Sequence, residues 1–431
     1  MKVMRAESLP DDFFSGWSDE GEKDVLRLVD EVRREGDKAV RRFTELFDRV
    51  KPERWRATEE EIRLAAERTP AWLADALGLA AGNIRAFAQR QKAQLQDFEV
   101  EVVPGVFCGQ RVIAVERAGL YVPAGRFPLV SSLLMAAVPA GVAGVREIAV
   151  CSPPAAGGSV HPVILAAAGL LGIREVHAVG GAQAIAALAF GTQTINKVDI
   201  IVGPGSRRVA QAKKAVFGAV GIDLLAGPSE VMIVADDSAD PEFVAADLVA
   251  QAEHDPEASA LLMTDSVRLA EAVRSAVEHG LARHPSSAAA GESLKRRGLI
   301  VLVKDMEEAA AISNRKAPEH LEIQVRDAAA IVPLFRHYGG LFIGPWTAGV
   351  WGDYTAGPNH TLPTGTSARF CSGLSVRHFL KFQTSLRLEP RGVRAIGPAA
   401  KILAESEGLA GHSAAAQARL ARLPTVPGRR A

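Results

Sequence analysis

The sequence predicts an α/β protein built on two Rossmann-like parallel sheets, with an incomplete dinucleotide fingerprint and small helical segments at its two ends. Three observations carry this. From about residue 120 to 235, short apolar runs alternate with alanine-rich helical stretches, the pattern of strands buried on both faces. A second series follows, with SALLMTD, GLIVLV and LFIGP as its strands. Two glycine-rich junctions, AVGGAQAIA at 178–186 and IVGPGSRRVAQAKK at 201–214, stand where strand gives way to helix.

In chain order, the N-terminus MKVMRAESLPDDFFSGW meets acidic residues before any apolar run, so it does not read as a signal peptide. Residues 20–100, as in KDVLRLVDEVRREGDKAVRRFTELF, place apolar side chains at intervals of three and four and predict amphipathic helices. QRVIAVERAGLYVP then shifts to β-branched residues and enters a sheet. REIAVCSPP, EVHAVGG, VDIIVGPG and VMIVAD read as strands, with HPVILAAAGLLG, AQAIAALAFG and SRRVAQAKKAVFG as the helices among them. Neither junction completes G-x-G-x-x-G, because Arg208 stands where the third glycine after Gly203 and Gly205 belongs. Beyond about 375 the chain reads as mainly helical, with PGRRA loose at the end, and no internal repeat is visible.

Composition narrows the partners. The 431 residues carry 50 basic and 50 acidic side chains, so no net field favours nucleic acid or an anionic membrane. A hydrophobic fraction of 48% supports a sizeable core, and no apolar stretch is long and uninterrupted enough to span a bilayer. Cys108, Cys151 and Cys371 lie far apart and read as reduced thiols. A cytoplasmic enzyme with a small-molecule substrate is the expectation.

Four stretches carry candidate chemistry. In DLVAQAEHDP at 247–256, Gln251 and His254 are three apart and would share one helical face, with Asp247 and Asp255 as further oxygen donors. On its own the same stretch reads more readily as a solvated helix end closed by Pro256. In NRKAPEHLE at 314–322, Pro318 suits the first turn of a helix and would leave Glu319 and His320 at its N-terminus. There they serve either proton transfer or the helix dipole. VWGDYTAGPNHTLPTGTSARF at 350–370 has too many glycines and prolines for regular structure, which puts Asp353, Asn359 and His360 on a long loop. In EGLAGHSAAA at 407–416, Glu407 precedes a turn glycine and His412 sits near the start of the last helix.

Together with GLYVPAG at 119–125, VGGAQAIAALAFGT at 179–192, GPG at 203–205 and AGPSEV at 226–231, these ordered motifs resemble the histidinol dehydrogenase family over nearly the whole chain. The resemblance implies a zinc-dependent, NAD-linked oxidation of L-histidinol to L-histidine through a bound aldehyde. It implies Zn²⁺ on Gln251, His254, Asp353 and His412, and acid/base roles for Glu319 and His320. Substrate contacts would come from Ser229 and Glu407, with His360 and the metal-site residues around them, and nucleotide contacts from Tyr121, Gln183 and Ser206. It further implies a homodimer in which Glu407 and His412 complete the partner's site.

The corresponding domain reading is an N-terminal helical segment (1–21) and a first α/β domain (22–121 with 231–374) holding the metal and acid/base residues. A second α/β domain (122–230) takes the nucleotide, and a helical tail (375–431) reaches the partner. Two departures stand out: Ser206 where the family usually has asparagine, and Ala348-Gly349 where it usually has Pro-Glu, followed by Trp351. They leave room for a paralogue acting on another small polyol or amino alcohol. Zinc hydrolysis is the rival chemistry, against which stands the lack of H-E-x-x-H. A non-catalytic binding protein is a third reading.

Overall fold

The computed structural model describes every residue except 17–20, 52–53, 125–126, 284–286 and 425–431. Gly125 of GLYVPAG and the terminal PGRRA lie outside the described residues. The chain divides into two compact units, residues 1–90 with 115–379 and residues 91–114 with 380–431.

In chain order the elements are β1 (Lys2–Arg5), α1 (Glu22–Glu35), α2 (Asp37–Phe47), α3 (Glu59–Glu67), α4 (Ala71–Ala93), β2 (Phe98–Val103), β3 (Val106–Ala114) and β4 (Arg117–Tyr121). There follow α5 (Val130–Ala143), β5 (Glu147–Ser152), α6 (Pro162–Leu170), β6 (Glu175–Ala178), α7 (Gly181–Phe190), β7 (Ile200–Val202), α8 (Arg207–Val216) and β8 (Gly221–Ile222). Then come β9 (Glu230–Ala235), α9 (Pro241–Ala252), β10 (Ser259–Thr264), α10 (Val267–Arg283), α11 (Ser287–Arg297) and β11 (Gly298–Leu302). The chain ends with α12 (Met306–Lys316), β12 (His320–Gln324), α13 (Ala328–Ile331), β13 (Gly340–Ile343), α14 (Gly349–Tyr354), β14 (Leu380–Leu388), α15 (Pro390–Ser406) and α16 (Ala410–Leu420).

The larger unit holds two parallel sheets, as the alternating pattern predicts. One has the order β6-β5-β4-β7-β8 and the other β1-β11-β10-β9-β12-β13. Leaving aside β1, both run third, second, first, fourth, fifth in order of appearance, so in each sheet the chain reverses direction beside its first strand. The N-terminal helical segment is corrected here: Lys2–Arg5 is an edge strand paired in parallel with Leu299–Leu302, followed by two short 3₁₀ turns. Alternating side chains divide β9 between two cores. Val231 and Ile233 pack with Val244, Leu248 and Val273, whereas Met232 and Val234 pack with Leu261, Leu321 and Ile323.

The smaller unit contains an antiparallel sheet in the order β14-β3-β2, together with α15 packed on α16. Its strand Leu380–Leu388, paired with Val106–Ala114, falls in a stretch read from sequence as mainly helical. LKFQTSLRL alternates apolar and polar residues, the period of a strand, and within the single chain its apolar Phe382 and Leu386 are exposed.

Candidate active site

Glu319 directly precedes β12 and His320 opens it, at the entry to the six-stranded sheet. The expected helix beginning at Pro318 does not form. The preceding helix ends at Lys316, Ala317 takes a left-handed conformation with φ of 50°, and His320–Gln324 pairs with both β9 and β13. HLEIQV satisfies its backbone in the sheet, where proline just upstream is tolerated. Because Leu321 and Ile323 face the α12 side, His320, Glu322 and Gln324 face α9.

The pair is buried and tightly held. Glu319 is 6% exposed, and its Oε2 accepts the N–H of Glu230 at 2.7 Å. His320 is 5% exposed and its Nδ1 donates to the Glu230 carbonyl at 3.1 Å. That bond leaves Nε2 buried without a hydrogen-bond partner, 3.5 Å from Asp353 Oδ1. Burial works against charging the imidazole, but Glu319 and Asp353 together hold its pKa well above the ordinary histidine value. Burial also raises the pKa of Glu230, whose carboxylate lies 3.6 Å from Lys316 Nζ.

The proposed metal side forms from three directions. Gln251 lies in the last turn of α9, 7% exposed, with its amide nitrogen buried and unpartnered. His254 lies beyond the helix, which ends at Ala252, so the two do not share a helical face as the spacing suggested; a turn carries the imidazole instead. Asp353 belongs to α14 and not to irregular loop. Burial opposes its ionisation, yet the neighbouring His320, His360 and His254 hold its pKa below the usual aspartate value. Asp247 is not turned to these groups, since it takes a hydrogen bond from Gln324 at 3.0 Å, and Asp255 caps the N–H of Glu257 at 2.8 Å.

His360 Nδ1 donates to the Asp353 carbonyl at 2.8 Å, and Ser132 Oγ lies 3.2 Å from its Nε2. Both ring nitrogens are thus occupied, and burial lowers the pKa of this histidine. Asn359 binds the Met135 carbonyl at 2.6 Å. Since Ser132 and Met135 belong to the helix after β4, these contacts bring the 355–366 loop to the exit of the five-stranded sheet. Ser229 sits directly before β9, beside Glu230. Glu407 and His412 are exposed residues of the smaller unit, His412 in the first turn of α16. Among the described residues, no three of His, Cys, Asp and Glu are disposed within the chain so as to hold a metal ion by themselves.

The nucleotide candidates line the exit of the five-stranded sheet. Tyr121 ends β4, the strand beside which the order reverses, and its hydroxyl accepts the N–H of Gly181 at 3.1 Å. Burial pushes that phenol up to about 12, so it stays neutral. Gln183 donates to Asp48 at 3.3 Å, and burial pushes Asp48 up to about 6. Gly203 has φ of 119°, and a Cβ there would come within 2.1 Å of the Tyr121 carbonyl. Ser206 is the exposed N-cap of α8, with no side-chain capping bond. Lys213 is 1% exposed and holds this loop by donating to Asp223 and to the Gly203 carbonyl.

Sequence reading missed Glu230, Lys316, Glu322, Ser132, Asp48 and the Lys213–Asp223 pair. Four of these lay inside quoted stretches, Lys316 and Glu322 in NRKAPEHLE, Glu230 in AGPSEV and Lys213 in IVGPGSRRVAQAKK, but nothing local announced their partners.

Comparison with known proteins adds an independent line. A family model described as histidinol dehydrogenase matches residues 16–420. A histidinol dehydrogenase of Ruegeria pomeroyi is 49% identical over 401 residues, covering 93% of this chain and 92% of the relative. One from Parasynechococcus marenigrum is 47% identical over 403 residues, covering 93% and 92%. The crystal structure of histidinol dehydrogenase from Elizabethkingia anophelis superposes with a TM-score of 0.91 at 34% identity, covering 99% of both chains.

Proposed function

The chain belongs to the histidinol dehydrogenase family, and from that premise we propose how its own residues carry out the reaction. The activity is the zinc-dependent, NAD-linked oxidation of L-histidinol to L-histidine, the end of histidine biosynthesis. The observation that carries the residue assignment is the contact of His320 with both Glu319 and Asp353 at the entry to β12, with the buried, unpartnered Gln251 amide at the end of α9 as support.

The side chains present fit a zinc ion. The Gln251 amide is buried with an unsatisfied edge, and reversing it presents an oxygen donor. Asp353 is held ionised, and His254 is near enough to influence it. Gln251, His254 and Asp353 would hold the ion, and His412 of a second copy would complete the set. A homodimer in which Glu407 and His412 serve the neighbouring site is part of this proposal. Bound there, zinc supplies Lewis-acid polarisation of the alcohol oxygen, and NAD accepts the hydride.

His320 is the base. Its Nδ1 is fixed on the Glu230 carbonyl, so Nε2 takes the hydroxyl proton. Asp353, once committed to a cation, no longer favours the imidazolium, which leaves His320 nearer the neutral form that a base requires. Glu319, fixed by the Glu230 N–H, takes a proton from water in the second oxidation, with His320 assisting. Ser229, His360 and Glu407 position the substrate. Tyr121, Gln183 and Ser206 line the nucleotide side, and the order reversal beside β4 supports that placement. The domain division follows: 122–230 takes the nucleotide, 22–121 with 231–374 carries the acid/base and metal groups, and the tail from 375 serves the partner.

The test is purified protein with L-histidinol and NAD⁺, following NADH and histidine together. Two NADH per histidine are expected. His320→Asn slows the first oxidation by about 10²–10⁴, whereas Glu319→Gln largely spares it and slows the aldehyde step. Equal effects of both variants on both steps refute the division of roles.

A further inference from the structure

The mechanism leaves a buried polar cluster unused. Glu322 is 1% exposed and Gln324 3%, and both lie on the face of β12 that carries His320 and looks toward α9. Glu322 Oε1 accepts the N–H of Gly349, the first residue of α14, at 3.0 Å. Its Oε2 accepts from the Gln324 amide at 3.1 Å, and the same amide donates to Asp247 on α9 at 3.0 Å. Glu322 and Asp247 thus meet on one amide. Asp247 lies one turn before Gln251 on α9, and Asp353 lies one turn after Gly349 on α14.

We propose that Glu322 is a positioning residue for the metal site, its carboxyl joining β12 to α14 and to α9 and so setting Asp353 and Gln251 relative to His320. The inference deepens the ligand assignment above and rests on it.

A helix of six residues, Gly349–Tyr354, does not hold itself together in isolation, and Ala348 gives it no side-chain cap. The contact from Glu322 supplies what the N-cap lacks, directly upstream of the proposed metal ligand. Glycine at 349 permits that contact, since a Cβ there would come within 3.2 Å of Glu322 Oε1. Burial and the neighbouring Asp247 raise the pKa of Glu322, in keeping with two carboxyls that share a proton. Supports of this kind alter metal affinity without touching the metal.

The experiment uses the full chain. Zinc affinity is measured by chelator competition, and hydrogen exchange of the 349–354 amides is measured in zinc-depleted protein. Glu322→Ala is expected to lower zinc affinity by about 10–100-fold and to speed that exchange. Glu322→Gln keeps an oxygen facing the Gly349 N–H and stays within a few-fold of the native protein. Should Glu322→Ala fail to fold, Gly349→Pro removes the donor and sets ring carbons against Glu322 Oε1, breaking the contact from the other side. Proline is tolerated in the first turn, and the preceding Ala348 already has an extended ψ of 151°. Gly349→Pro is expected to lose zinc affinity in the same way.

Native zinc affinity and native exchange in Glu322→Ala or Gly349→Pro overturn the proposal. Asp353→Ala separates it from the ligand assignment. If Asp353→Ala loses zinc while Glu322→Ala and Gly349→Pro match the native protein, the positioning role fails and the ligand assignment stands. If Asp353→Ala keeps native affinity while the other two variants speed exchange, the link to α14 holds and the ligand assignment fails.

Discussion

Lys213→Met isolates one buried ion pair and gives a magnitude that the structure fixes. The Lys213 ammonium donates to Asp223 and, at 2.9 Å, to the Gly203 carbonyl. Asp223 in turn accepts the N–H groups of Gly203 at 2.8 Å and Leu224 at 2.7 Å, and the two side chains are 2% and 0% exposed. Methionine fills the alkyl volume but leaves a buried carboxylate without its cation, a loss of about 3–5 kcal/mol. With a urea dependence of about 2 kcal/mol/M, the unfolding midpoint falls by about 1.5–2.5 M. Trp55 reports it: the indole is buried, and its carbonyl takes the Ala178 N–H beside the five-stranded sheet. Adding Asp223→Asn removes the stranded charge and keeps an acceptor for Gly203, so the double variant recovers about half of the shift. A midpoint within about 0.5 M of native for Lys213→Met, or no recovery in the double variant, refutes the argument.

Gly203→Ala is expected to be more disruptive than its size suggests, since φ is 119° and the new Cβ meets the Tyr121 carbonyl at 2.1 Å; soluble yield and the KM for NAD⁺ measure it. Glu175→Gln changes the acid limb of stability. Burial opposes ionisation of Glu175, but hydrogen bonds from His177 and Arg117 hold its pKa at about 2, below the usual 4.5. Its folded value is depressed, so its contribution is present above about pH 4.5 and lost as pH falls toward 2. The variant therefore loses stability relative to native protein at pH 7, and the gap narrows through that window in thermal melts. Mixing inactive His320→Asn and His412→Asn protein after subunit exchange restores up to about one quarter of native activity if sites are shared, and none if each chain is self-sufficient.

Much of the fold was legible because buried parallel strands are continuous apolar runs. IIV at 200–202 and VMIVA at 231–235 have few other ways to satisfy a core. Where local signals conflicted, tertiary pairing decided. Pro318 reads as a helix start, yet HLEIQ is drawn into the sheet between β9 and β13, and the site then forms on a strand rather than a helix end. Gln251 and His254 keep their proximity in sequence, but Ala252 ends the helix before the histidine. The supports were illegible for a different reason. Glu230 meets Glu319 across 89 positions and Asp247 meets Gln324 across 77, and neither acid has a neighbour in sequence that announces its partner.

The two sheets share a strand order, but the proposed site uses opposite ends of them. Tyr121, Gly181 and Gly203 lie at the exit of the five-stranded sheet, where helices begin and glycine backbones allow close approach. Glu319 and His320 lie at the entry of the six-stranded sheet, anchored on the backbone of Glu230. The segment from Asp223 to Ser229 joins these two ends. Asp223 binds the Gly203 loop, Gly227 donates to Thr364 at 2.6 Å, and Ser229 leads directly into β9. The Gly203 loop and the Glu319–His320 pair are thus tied to one short stretch of backbone. Under the proposed assignment, this gives a physical reason why a proton acceptor from one sheet and a hydride acceptor on the other would address the same carbon without a shared strand.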